Sequence, residues 1–263
     1  MAFDAKFDKL VIDSIDTVTA LDRTTSEIVF IHDEIKEGTI ESAGDLTFGT
    51  GAHGKRVSAM QSNKTAKITY KNAYVVASSL AAKIGADIES ASEDNVFTVP
   101  TVEYVKVEKS GGSTLTATLP QTPTATSIKY AYVAQKDMTP GEKLTVTTDF
   151  TLSDKTLTLT SENVQAGDIL IVCYEYTTTV GKKITNNAEK YSKNVKLIVD
   201  LLLRDVCDNS QLYHARMVFF NTIPDMNDTI SIGDDPAVED FSAEAIIDPC
   251  STDKKYWDMY IVE

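Results

Sequence analysis

The residues whose types and spacing come closest to a chemical motif are Gly49-Thr50-Gly51-Ala52-His53-Gly54-Lys55-Arg56. They satisfy both G-x-G-x-x-G, the dinucleotide-binding pattern, and G-x-x-x-x-G-K, the phosphate-cradling loop. Each pattern needs a structural context as well as its letters. A phosphate cradle requires a following helix whose N-terminal amides face the anion, and the second form requires Ser or Thr after the Lys to hold Mg²⁺. Here Arg56 stands in that place, and Val57 to Tyr70 reads as loop and strand. No acidic residue follows at the dinucleotide-binding distance within a βαβ unit. The segment is read as a Gly-rich loop without a nucleotide.

Other candidates fail on similar grounds. Asp225-Met226-Asn227-Asp228 begins like a calcium loop, but Ile230 occupies the position that must be Gly, and no bidentate Glu stands at position twelve, so an acidic turn is expected. His32, His53 and His214 have no H-x-x-x-H relation, and each is read as a surface or internally satisfied histidine. Cys173, Cys207 and Cys250 are odd in number and contain no C-x-x-C pair. They argue against a disulfide framework or zinc site and for reduced, mostly buried thiols. No nucleophile signature is present. Catalytic, cofactor-binding and metal-ligating residues are therefore none, no cofactor is implied, and the chain is not read as an enzyme.

Composition sharpens this. With 25 Lys+Arg against 39 Asp+Glu and a formal charge of −14, the chain is a poor candidate for capturing nucleic acid through its phosphates. Residues 225–263 hold 11 acids and 2 bases, so most of the excess sits in that segment. Its plain reading is a solvated face. The start of the sequence lacks the basic and apolar regions of a signal peptide, and Leu197–Leu203 is too short to cross a bilayer, so no membrane association is expected and synthesis in a cytosol is.

The elements that must position these residues are mostly strands. Short alternating runs rich in Thr, Val, Ile and Tyr recur between Gly, Asp, Asn and Pro. Strands are expected at Glu27–Ile31, Lys64–Tyr70, Val102–Glu108, Ser127–Val133, Leu144–Phe150 and Thr156–Thr160. Ile128, Tyr130 and Tyr132 should share a face. Asp168–Tyr176 should be buried on both faces at its centre. Val195–Val206 and Gln211–Thr222 flank Cys207-Asp208-Asn209-Ser210, which reads as a hairpin loop. Alternation over Phe241–Ile247 and Trp257–Ile261 predicts the last two strands. One segment has helical period: Val76, Leu80 and Ile84 recur every four residues, predicting a helix over Asn72–Ile84 with Asn72 as N-cap and Gly85 at its left-handed end. Together these predict a mainly β fold, a β-sandwich or open barrel with one flanking helix. The loops Lys109–Ser113 and Pro120–Thr126 either bound an inserted β subdomain near residues 100–180 or are hairpin loops of one domain spanning 1–263.

Several segments together resemble the bacteriophage major tail tube protein family. The likeness begins at Gly54–Arg56 and runs through Asn63-Lys64-Thr65-Ala66-Lys67-Ile68-Thr69-Tyr70 into the Ala-rich helix ending at Gly85. It continues at Phe150–Lys155, at Ala166-Gly167-Asp168 leading to Tyr174-Glu175-Tyr176, and at Ile232–Ala237 followed by Phe241–Ala245. The resemblance implies a virion structural protein assembled in the host bacterial cytoplasm. Its subunits form hexameric rings through β-hairpins paired side by side, and the rings stack into a tube that delivers the genome. The implied partners are further copies of the chain, other tail proteins, and DNA passing through the lumen without specific binding. Met1–Ile15, Trp257–Glu263 and the Gly49–Ser62 loop become candidate contacts between stacked rings. The alternative is a β-sandwich decoration or host-surface-binding protein of the virion.

Overall fold

A computed structural model describes residues 10–124, 127–128, 130–206, 212–227, 238–248 and 252–262. The chain is mainly β and divides into two compact units, one formed by Met1–Ile88 with Ile184–Glu263 and the other by Glu89–Lys183. In the first unit, β1 (Leu10–Asp22), β2 (Ile28–His32), β3 (Ile35–Thr50) and β4 (Arg56–Asn72) precede α1 (Ala77–Lys83). The chain leaves through β5 (Ile88–Ser90). In the second unit lie β6 (Phe97–Lys106), β7 (Glu108–Lys109), β8 (Leu115–Thr118), β9 (Tyr130–Ala134), β10 (Pro140–Thr145), β11 (Phe150–Ser153), β12 (Thr156–Leu159) and β13 (Ile169–Thr178). It returns through β14 (Lys182–Ile184), which pairs with β5, to β15 (Val195–Asp205), β16 (Leu212–Pro224), β17 (Glu239–Ala245) and β18 (Trp257–Val262).

The first unit is one sheet ordered β2-β1-β15-β16-β17-β4-β3, with β18 joining β16 beside β17. Strict alternation in β15 puts Val195, Leu197, Val199, Leu201 and Leu203 inside, where they meet Val18, Ala20, Ile68, Met217, Phe219 and Phe241 in one core. The second unit packs sheet β10-β9-β13-β6 on sheet β11-β12-β8-β7, with Leu144, Phe150, Leu157, Leu170 and Val172 between them.

Most expected strands form, with several corrections. The run Leu144–Phe150 is two strands, not one: Thr147 takes φ 71° in a turn where Asp149 N donates to Thr145 O (2.9 Å) and Asp149 Oδ2 accepts from Thr145 N (2.7 Å). Val57–Ser62 is no loop; it belongs to β4. Asn72 does not cap the helix. It closes β4, and its side-chain amide donates to Tyr74 O (2.7 Å) while α1 starts after Val76. Gly85 does take the left-handed conformation, φ 67°, at the end of the helix. Ile128 is buried in the second unit's core whereas Tyr130 is exposed, so the two do not share a face. β13 is buried on both faces at Leu170–Val172, as expected, but its alternation brings Cys173 out, and this thiol is exposed rather than buried. Cys207–Ser210, Cys250, Asp228 and Ile232–Ala237 lie outside the described residues.

Candidate assembly surface

The Gly49–Arg56 segment is the tip of the long β3–β4 hairpin. Gly51 N donates to Lys55 O (2.8 Å), and a single 3-10 turn, Ala52–Gly54, is held by His53 at φ 65° and Gly54 at φ 72°. Arg56 lies 3.9 Å over the Phe48 ring. The next element is a 17-residue strand and not a helix, so no fan of N-terminal amides faces this turn. His53 and His214 are exposed on the surface, and His32 is buried against the Tyr70 hydroxyl (2.7 Å). Asp225 and Asn227 form a local turn, with Asn227 N donating to Asp225 Oδ1 (3.0 Å). Among the described residues no three His, Cys, Asp or Glu side chains are grouped to hold a metal ion, and no helix is long and apolar enough to cross a membrane.

The features with capacity to act are sheet edges. β1, β15, β16 and β18 form four successive antiparallel neighbours, so β18 runs opposite to β1. Across their solvent face, Thr17, Asp200, Arg216 and Tyr260 fall in one row. Arg216 Nε donates to Asp200 Oδ1 (2.6 Å), and Thr17 Oγ1 donates to Asp200 Oδ2 (3.1 Å). The Asp13–Arg204 pair (2.8 Å) lies along the same strands, and the carboxylate holds the Arg204 guanidinium above its already high ordinary pKa.

Both margins of this four-stranded array are open among the described residues. β2 pairs with β1 only from Val18 to Leu21, leaving Leu10–Thr17 without a paired outer strand, with Gly38 of β3 packed against Ile15, and β18 is paired on its β16 side only. Both margins carry exposed apolar side chains: Val11 and Ile12 on one, Met259 and Tyr260 on the other. Unpaired N–H and C=O groups beside apolar side chains are a template for another strand. The segments Leu10–Ile15 and Trp257–Val262, expected at contacts between stacked rings, are instead margins of one sheet, placed to meet a neighbour side by side; Met1–Lys9 and Glu263 lie outside the described residues. Strand alternation alone could have located β1, but its two register shifts near Ser14 and Thr17 hide the period in the sequence.

The acidic C-terminal segment is less charged in effect than its composition. Glu239 pairs with Lys83 (2.8 Å), Asp248 with Arg23 (2.7 Å), and Lys255 lies between Asp258 (3.2 Å) and Asp253 (3.6 Å). The neighbouring carboxylates raise the Lys255 ammonium above its ordinary range.

No curated protein matches the chain. A family model does, over residues 10–259, nearly the whole sequence and, among the described residues, every strand but for the end of β18. The chain belongs to the YomU/Tube protein family, a family of phage tube proteins.

Proposed function

We propose that this protein is the tail tube subunit of a virion, closing into hexameric rings that stack around a channel for genome delivery. The observation that carries the reading is the pair of open margins on one four-stranded antiparallel array. Because β18 runs opposite to β1, β18 of one subunit meets Leu10–Thr17 of the next in antiparallel register. The contact is heterologous, and such contacts close into rings when the rotation closes. Closure removes both edges at once.

Six arrays of four strands give about two dozen strands. At about 4.8 Å between strands the backbone barrel measures roughly 37 Å across if untilted, and about 48 Å at a tilt of about 40°. Either leaves a lumen wider than a DNA duplex after side chains are added. The solvent face of the array would line it, and its opposed pairs Asp200–Arg216 and Asp13–Arg204 offer neither a basic track nor a purely acidic wall. DNA would therefore pass without capture. The β3–β4 hairpin tip is left free to contact the next ring, and Glu89–Lys183 is read as an inserted subdomain carried by each subunit.

A second reading, a decoration or host-surface-binding protein, is favoured by one observation. Sheet β10-β9-β13-β6 exposes Tyr104 and Tyr130 on its outer face, with Lys143 4.0 Å over the Tyr130 ring. Chemical cross-linking of the purified protein separates the two. A covalent ladder ending at six supports the tube; a single monomer band across the accessible concentration range refutes it.

A further inference from the structure

Helix α1 buries Ala81 and Ala82, and beside these small apolar residues it meets the sheet through a buried polar and charged cluster. Ser79 and Lys83, one turn apart and both fully buried, converge on Glu239 of β17, itself 3% exposed. Glu239 Oε1 accepts from Ser79 Oγ (2.5 Å) and pairs with Lys83 Nζ (2.8 Å); Oε2 accepts the Val76 backbone N–H (2.9 Å) at the start of the helix. Lys83 Nζ also donates to Asp240 O (2.8 Å). Val76 supplies no capping side chain, so a carboxylate 163 residues away serves as the cap. A helix of seven residues has little stability of its own.

The remaining groups facing Glu239 come from β2 and β4. His32 Nε2 lies 3.5 Å from Oε2, and His32 Nδ1 lies 2.7 Å from the Tyr70 hydroxyl. A proton on Nε2 avoids a lone pair against the carboxylate, so Tyr70 O–H donates to Nδ1. Burial, with the Glu239 charge beside it, holds the Tyr70 hydroxyl well above its usual range, so it stays neutral. Asn72 stands opposite Glu239 in register, and Asp240 is the neighbouring acid on β17. Lys83 and Glu239 are thus the buried ion pair at the centre of the site.

We propose that Glu239 makes α1 and β17 a single acid-detachable unit, in which protonating one buried carboxylate releases the helix and the strand together. Protonation removes the charge that balances the buried Lys83 ammonium and turns one of the two oxygens that accept from Val76 N–H and Ser79 Oγ into a donor. Lys83 reaches water only if α1 moves. β17 covers one edge of β4 from Ala66 to Asn72, so its release bares the base of the long hairpin.

The pH window follows from the carboxyl. Burial alone would push it up, but the contacts from His32, Lys83, Ser79 and Val76 N–H prevail and bring it from 4.5 to about 2. A depressed carboxyl contributes fully above its unfolded value, and the contribution fades as pH falls from about 4.5 towards about 2.

Native-state amide exchange across that range, corrected for intrinsic rates, tests the proposal. The Leu80 and Ile84 amides, which close α1, and the amides of β17 should lose protection together, by on the order of a hundredfold. Amides of the β1–β15 pair should change far less. Glu239→Gln should reproduce the released state at pH 7, and Lys83→Met/Glu239→Leu should abolish the pH dependence. Wild-type protection of α1 and β17 in Glu239→Gln at pH 7, or α1 exchanging while β17 stays protected, would overturn it.

Discussion

Replacing both Val11 and Ile12 by lysine strikes the open margin of β1 where it is most apolar. The two side chains are 53% and 56% exposed, so pairing with a neighbouring β18 removes roughly half of each from water. At about 25 cal/mol per Å² this amounts to about 1 kcal/mol per residue and about 2 kcal/mol per contact. Each contact is then weakened about thirtyfold. A ring of six forgoes on the order of 12 kcal/mol, before any cost of placing two ammonium groups against Met259 and Tyr260. The isolated subunit should barely change, because exposed substitutions away from buried features shift stability by about 0.5 kcal/mol or less. Sedimentation velocity over a concentration series, with thermal melting as the control, reads both quantities. The variant should melt like the wild type and require at least about tenfold more protein to assemble. Assembly at the wild-type threshold would refute pairing through the β1 edge.

Three further outcomes rest on the geometry. Gly85→Ala should destabilise the protein by about 1–3 kcal/mol in denaturant titration, since φ is 67° there and an added Cβ would collide with the Tyr191 carbonyl. Lys83→Met alone should cost about 3–5 kcal/mol by leaving Glu239 buried without its partner, whereas adding Glu239→Leu should recover most of that loss. Cys173 should react with a thiol reagent in the native protein, and Cys173→Ser should remove that reaction in a mass-resolved labelling experiment.

The mainly β class was legible because β15, and β16 over most of its length, bury every second residue, so Val195–Leu203 carries its period on its face. The helix was legible through Val76, Leu80 and Ile84, but its boundary was not. Asn72 has the right chemistry for a cap, yet pairing with Glu239 and Ile35 keeps it in the sheet, and the group that serves the helix lies far away in sequence. β1 escaped because two register shifts blur its alternation, and most of β3 because it is largely polar and interrupted as well. Leu144–Phe150 alternates like one strand but bends at Thr147, where the Asp149 carboxylate fixes the turn. The assembly surface was the hardest to read. Sequence shows which residues are apolar; only the topology shows that β1 and β18 end as opposite margins of one array.

The most direct test is electron microscopy of the purified protein at rising concentration. Edge pairing between β18 and β1 predicts rings of six subunits that stack into tubes, with a lumen wider than a DNA duplex bounded by the β1-β15-β16-β18 face. Particles that remain monomeric at every concentration, or rings whose contacts bypass β1 and β18, would contradict it.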